Sequence, residues 1–157
     1  MKNLLLILTF GFLLFSCDKS DDIIEINEQD YLVFGHFYGM CAGDGAGCVQ
    51  TYMLTDQKLY EDVKNDYTGQ DLQFIEMSND SFAQVKNLGD YFPTELLNES
   101  DGAFGCPDCA DGGGLYIKLS QNGNVRSWRI DQMKDNVPEY LHTFMDKVNE
   151  KIALIEK

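Results

Sequence analysis

The chain has 157 residues, with 26 acidic and 12 basic side chains and a net charge of −14 at pH 7. This acidic excess excludes nucleic acid as a partner, because a protein needs clustered lysine and arginine to neutralise phosphates. The length suits one domain with a sizeable core.

The N-terminus predicts export. Lys2 is followed by mostly apolar residues from Leu4 to Phe15 and then by the small residue Ser16. This order is typical of a secretory signal peptide. The apolar run is too short for a membrane-spanning helix, which needs about 20 apolar residues. We therefore assign residues 1–16 to a signal peptide.

The junction Leu14-Phe15-Ser16-Cys17 resembles the lipobox of bacterial lipoproteins, in which a leucine lies three residues before a cysteine. The resemblance implies that Cys17 is lipidated and becomes the first residue of the mature chain. Such a lipid group exceeds the two signals that stable membrane anchoring requires. The alternative is an ordinary secreted protein in which Cys17 carries no lipid.

Residues 17–30 predict a lipidated cysteine followed by an acidic tether. The start of the tether, DKSDD, is similar to acidic signals that send lipoproteins of Gram-negative bacteria to the outer membrane or the cell surface. In other bacteria an aspartate at this place marks retention at the inner membrane, so the leaflet stays open. Without the signal peptide and its Lys2 the net charge is −15. This charge is compatible with a basic protein partner, but its commonest meaning is solubility.

The globular domain, residues 31–157, begins with a predicted set of four β-strands. Each is short, rich in aromatic or branched residues and bounded by turn residues. Glycines fill the loop 39–47, and Asp56-Gln57 forms the tip of a predicted hairpin. The predicted strands are Tyr31–Tyr38, Val49–Thr55, Lys58–Asp62 and Leu72–Met77.

A helix is predicted from Ser78, because this residue and its polar neighbours can cap a helix N-terminus. Phe82, Val85 and Leu88 then recur at helical spacing, and Gly89 supplies the stop. The segment Ser100 to Gly114, rich in glycine and aspartate, is predicted to be a loop.

Asn122-Gly123 predicts a type I′ turn between two strands, because both turn positions require positive φ. Alternation along the two strands places apolar side chains on one face and polar ones on the other. This pattern favours an antiparallel sheet with one buried face. Counting outward from the turn predicts the pairs Leu119–Arg126, Ile117–Trp128 and Leu115–Ile130.

The last segment, Val137 to Ile155, carries one apolar stripe and predicts a C-terminal helix. The resulting element order predicts an α+β fold. We expect an antiparallel sheet of about six strands, a helix after the fourth strand, and the C-terminal helix packed on one face.

Four cysteines remain after Cys17, and an even number in an exported domain favours disulfides. If the strands around the glycine loop form a hairpin, Cys41 lies opposite Cys48 and can bond to it. That pairing leaves Cys106 with Cys109. Each such short-loop disulfide contributes about 2 to 2.5 kcal/mol.

Metal binding is one alternative for these cysteines. Cys106 and Cys109 have zinc-knuckle spacing, and with Cys41, Cys48 or His36 they could complete a tetrahedral site for zinc or copper. Against this, the first cysteine pair is spaced too widely for a knuckle, and thiolates in an oxidising compartment pair with each other. Without a metal, the chain needs no cofactor.

Thiol redox chemistry is the other alternative, because C-P-x-C resembles the motif of thioredoxin-like proteins. In those proteins a helix follows and lowers the pKa of the thiol. Here Gly112-Gly113-Gly114 follows, which starts a helix poorly, and Asp108 and Asp111 would raise the pKa of a nearby thiol.

The sequence contains no motif that indicates an enzyme. His36 lies in a predicted strand beside aromatic residues, and we interpret it as a satisfied core or edge side chain. No serine-hydrolase, zinc-protease, phosphate-loop or dinucleotide motif appears.

The body, with FGHFYGMC near its start and GCPDCADGGGLYI before the strand WRID, looks like small bacterial lipoproteins of undetermined activity, over about residues 31–155. The resemblance implies a location and no known reaction. We therefore expect a lipid-anchored protein of the cell envelope, at the outer membrane or cell surface. As a non-enzymatic module, it would bind a protein or a small molecule through loops held by disulfides.

Overall fold

A computed structural model describes residues 29–40 and 47–156. The signal peptide, Cys17, most of the acidic tether and Cys41 lie outside the described residues. What the sequence predicts for them stays a prediction.

The described chain forms one mixed sheet and two α-helices. The sheet has the spatial order β4-β3-β2-β1-β6-β7-β5. Neighbouring strands are antiparallel except β5, which runs parallel to β7. The helices are α1, Asn79–Val85, and α2, His142–Ile155. The strands are β1 Tyr31–Phe37, β2 Val49–Leu54, β3 Leu59–Asp62, β4 Phe74–Glu76, β5 Gly102–Phe104, β6 Gly114–Gln121 and β7 Asn124–Asp131.

This architecture confirms the predicted α+β class and corrects the strand count from about six to seven. The additional strand is β5, which lies inside the segment predicted to be a loop. Gly102 pairs with Trp128 and Phe104 with Ile130. A three-residue segment shows no alternation of its own, so its strand conformation depends on the open edge of β7.

The hairpin β6–β7 is confirmed, including its register. Leu115 pairs with Ile130, and Ile117 pairs with Trp128. The turn residue Asn122 has φ 53° and Gly123 has φ 79°. Positive φ at both positions is what the type I′ turn requires.

The two helices are shorter than predicted. The Ser78 hydroxyl accepts a hydrogen bond from Ser81 N, as a cap should, but α1 ends at Val85 and a 3₁₀ turn follows at Leu88–Tyr91. Helix α2 begins at His142, because 3₁₀ turns occupy the chain before it. The predicted apolar stripe is nevertheless buried: Val137, Leu141, Phe144, Val148, Ile152 and Ile155. None of the described helices is long and apolar enough to cross a membrane.

The sheet is buried on both faces, and the prediction of one buried face is wrong. Most of the core lies on the face that the helices cover. A smaller apolar cluster lies on the opposite face, around Val33, Phe37 and Tyr116. Tyr116 alternates with Leu115 and Ile117, so the predicted pattern places it on the polar face. It is only 7% exposed, because the loop that joins β3 to β4 covers it and its hydroxyl donates to Gly69 O at 3.0 Å.

Candidate functional site

The cysteine loop, residues 105–113, joins β5 to β6 and is closed by a bond between two of its own residues. The sulfur atoms of Cys106 and Cys109 lie at bonding distance, and their Cα atoms are 5.4 Å apart, within the range that disulfides take. Both residues are exposed. An exposed closed loop can serve as a rigid support, or its sulfurs can be reached by an external thiol.

The backbone of this loop is irregular. Positive φ recurs at Gly105, Asp108, Ala110, Asp111 and Gly113. Only a three-residue 3₁₀ turn follows Cys106, and the next regular element is β6. A thiol at this place therefore lacks the helix dipole that lowers the pKa of reactive cysteines.

Asp131 ties the start of the loop to the end of β7. Its carboxylate accepts hydrogen bonds from Cys106 N at 3.0 Å, Met133 N at 2.8 Å and Asn136 Nδ2 at 2.8 Å. Burial by itself would raise the pKa of Asp131, but these hydrogen bonds outweigh burial and hold the pKa below its ordinary value. The resulting negative charge beside Cys106 disfavours a thiolate there.

Asp108 ties the middle of the loop to the face of the sheet away from the helices. Its carboxylate accepts hydrogen bonds from Gly113 N at 3.0 Å and from the Tyr67 hydroxyl at 2.9 Å. Burial, and then this bond to Asp108, raise the pKa of Tyr67, so its hydroxyl stays protonated and donates. The Arg129 guanidinium lies 3.6 Å from the ring centre of Phe37 and 4.7 Å from that of Tyr67.

The strands around the glycine loop do pair as a hairpin, which was the premise for bonding Cys41 to Cys48. Phe37 pairs with Val49, and Tyr38 N donates to Cys48 O at 2.8 Å. Cys48 is buried, at 5% exposure. Because Cys41 lies outside the described residues, this bond stays a prediction.

His36 lies in β1 between Gln50 and Leu115. Its ring centre is 5.3 Å from that of Tyr38. Its Nε2 atom is buried without a hydrogen-bond partner in the described part of the chain, so the interpretation of a satisfied side chain is wrong for this atom. Among the described residues, no three histidine, cysteine or carboxylate side chains lie close enough together to hold a metal ion. The zinc or copper alternative therefore has no assembled donor set among residues 29–40 and 47–156.

A groove on the helix-covered side of the sheet was missed by the sequence analysis. It has a volume of about 520 Å³ and is bordered by Tyr52, Glu61 and Glu156. Tyr52 pairs with Glu61 across β2 and β3, which strand alternation could have suggested. Glu156 follows α2 at the far end of the chain, and no local pattern links it to the other two residues.

No protein-family model matches the chain, and no curated protein matches it. Its function must therefore be argued from the residues and their arrangement.

Proposed function

We propose that the protein is a lipid-anchored binding module of the bacterial cell envelope and that its cysteine loop has a structural role. The lipobox around Cys17 and the apolar run before it support the location. The absence of catalytic motifs from the sequence supports a binding role.

One observation carries the structural role of the loop, namely its attachment at two points. Asp131 holds the backbone of Cys106, and Asp108 connects the loop to Tyr67. Both attachments are carboxylates, which oppose the formation of a thiolate nearby. A loop held in this way presents a fixed surface, and fixed surfaces bind with a smaller entropic cost.

The location can be tested by growing cells that express the full chain with a radiolabelled fatty acid. We expect label on the wild-type protein and none on a Cys17→Ser variant. A Cys48→Ser variant serves as the matched control, since it removes a different cysteine and should keep the label. An unlabelled wild-type protein that is released from the membrane would overturn the proposed anchoring.

The loop's role can be tested by counting thiols in protein purified without reductant and denatured under alkylating conditions. We expect Cys41, Cys48, Cys106 and Cys109 to resist alkylation until a reductant is added. Alkylation of all four cysteines before the reductant is added would overturn the disulfide part of the proposal.

The exposure of Cys106 and Cys109 favours thiol redox chemistry as a second candidate function. A donor thiolate would attack one sulfur, form a mixed disulfide and release the other cysteine as a thiolate. A second donor thiolate would then resolve the mixed disulfide, so that two donor thiols are oxidised and the loop gains two electrons. Turnover of a dithiol donor with a model disulfide, lost in Cys106→Ser, would promote this candidate, and no turnover would remove it.

Metal binding by the same cysteines remains the other alternative to a structural loop. Elemental analysis of the purified full chain tests it directly. Stoichiometric zinc or copper that is lost in Cys106→Ser would replace the structural proposal, whereas equal metal content in both proteins would discard the metal alternative.

A further inference from the structure

The groove beside β3 and β4 has the dimensions of a small-molecule site. Its volume of about 520 Å³ falls within the range usual for such sites. Val63 and Ile75 contribute apolar surface to it and are themselves 44% and 56% exposed. Ile155 adds further apolar surface from the end of α2. These side chains can cover an aliphatic stem.

The Tyr52 hydroxyl is a polar group in this groove that has no hydrogen-bond partner in the part of the chain that the structure describes. The residue is only 1% exposed, yet its hydroxyl forms no hydrogen bond with any residue in the described ranges. The hydroxyl oxygen is not itself fully buried and keeps solvent contact at the groove, where water or a bound donor can pair with it. A bound donor would satisfy the hydroxyl oxygen.

Glu61 and Glu156 place negative charge at the same point. Neither carboxylate forms an ion pair with a described residue, whereas Glu76 at the groove is paired with Lys58 at 2.6 Å. Burial, and then the charges of Glu61 and Glu156, raise the pKa of Tyr52. The groove therefore combines a protonated hydroxyl with two carboxylates that form no ion pair within residues 29–40 and 47–156.

We propose that this groove binds a ligand with a primary ammonium group on an aliphatic stem. The ammonium donates to Tyr52 and to the carboxylates of Glu61 and Glu156, and the stem lies against Val63 and Ile75. An ammonium suits the site because it offers three donors and one positive charge. The inference rests on the proposed function in one respect, since it names the ligand class of a binding module.

Calorimetric titration of the full purified chain with cadaverine at low ionic strength tests the proposal. Cadaverine carries an ammonium at each end of a five-carbon stem, and 1,5-pentanediol is its uncharged analogue. We expect cadaverine to bind and the diol to show no binding up to about 10 mM. Added salt should weaken the binding, because screening reduces attraction between partly exposed charges.

Three variants identify the site. Tyr52→Phe, Glu61→Gln and Glu156→Gln should each raise the dissociation constant about tenfold, since each removes a hydrogen bond to a charged group. Glu139→Gln is the matched control, because it removes one acidic charge from an exposed residue outside the groove. Binding should be unchanged in this variant. Equal weakening in the three Glu→Gln variants, with no effect of Tyr52→Phe, would show attraction to the net charge alone and would overturn the site.

A second arm separates the two sources of the ammonium group. Binding of cadaverine as tight as that of tetralysine indicates a free amine, while tetralysine that binds at least about tenfold tighter indicates a lysine side chain of a basic protein. No binding of either probe up to about 10 mM would overturn the inference.

The tests of the two proposals fail independently. If the protein carries the lipid label and its cysteines resist alkylation, but it binds neither cadaverine nor tetralysine, the proposed function stands and only the amine site is overturned. A chain that binds cadaverine but has free cysteines or no lipid retains the amine site and loses the proposed function.

Discussion

Two side chains make the contacts that fix the cysteine loop and that cover the sheet face opposite the helices. Asp131 accepts three hydrogen bonds, one of them from Cys106 N at the start of the loop, and Arg129 lies against the rings of Phe37 and Tyr67. The contacts of these side chains with Cys106, Phe37 and Tyr67 are not visible in the sequence, because those partners are distant along the chain. Both can be measured by substitutions that preserve shape.

Asp131→Asn should lower the free energy of unfolding at neutral pH by about 1 to 3 kcal/mol, since it weakens hydrogen bonds to a buried charged group. The folded-state pKa of Asp131 lies below its unfolded value. The stability that this carboxylate contributes is therefore present above the unfolded pKa of about 4 and is lost as the pH falls through the folded pKa. Urea unfolding of both proteins across acidic and neutral pH is the measurement. The gap between wild type and variant should narrow as the pH falls, and a gap that stays constant would contradict the prediction.

Arg129→Lys should lower the free energy of unfolding by about 1 to 2 kcal/mol, although the charge is kept. A lysine ammonium cannot stack flat against the rings of Phe37 and Tyr67 as the guanidinium does. A double-mutant cycle with Phe37→Leu isolates the ring contact. Additive effects of the two substitutions would show that the contact contributes no coupling energy.

At the scale of elements, local patterns predicted the strands that have sequence neighbours as partners. The β6–β7 hairpin was fully readable, because its turn requires Asn122-Gly123 and its register follows from alternation. Strand β5 was not readable, because its partner β7 lies more than 20 residues away and contributes the edge. The same reason hid the loop that covers Tyr116, since only the folded chain brings Gly69 to the sheet.

Gly69→Ala should destabilise this covering loop by more than about 1 kcal/mol, because Gly69 has φ 69° and an added Cβ would collide with the Tyr116 ring. Gly123→Ala is the matched control, since Gly123 has φ 79° and an added Cβ there meets no described atom within 4 Å. Chemical unfolding should show the larger loss for Gly69→Ala. Equal losses would mean that only the backbone conformation matters and that contact with Tyr116 does not.

For the whole molecule, the α+β class is the feature that the sequence predicted best, and the groove is a feature that it did not predict. The cysteine loop was found from its motif. The groove was not, because Tyr52, Glu61 and Glu156 come from β2, β3 and the end of α2. Only the packing of α2 against the sheet creates that juxtaposition, and a helical stripe specifies burial without specifying what the end of the helix meets.

The same acidic surface makes a prediction about the entire body. Five ion pairs occur among the described residues, and their carboxylates are all about half exposed or more. Exposed pairs contribute at most about 1 kcal/mol each, so they offset little of the repulsion from a net charge of −14. Raising NaCl from about 20 to about 500 mM should therefore increase the melting temperature, because screening reduces this repulsion.

Replacing two exposed acidic residues with lysine, as Glu95→Lys and Glu139→Lys, lowers the magnitude of the net charge without touching the core. This variant should gain less from added salt than the wild type does. The conservative pair Glu95→Asp and Glu139→Asp keeps the charge and should gain as much as the wild type. Calorimetric melting at low and high salt compares the three proteins. A wild-type melting temperature that falls as salt is added would contradict the prediction. Screening weakens both the ion pairs and the repulsion, so such a fall would show that the ion pairs contribute more to stability than the repulsion removes.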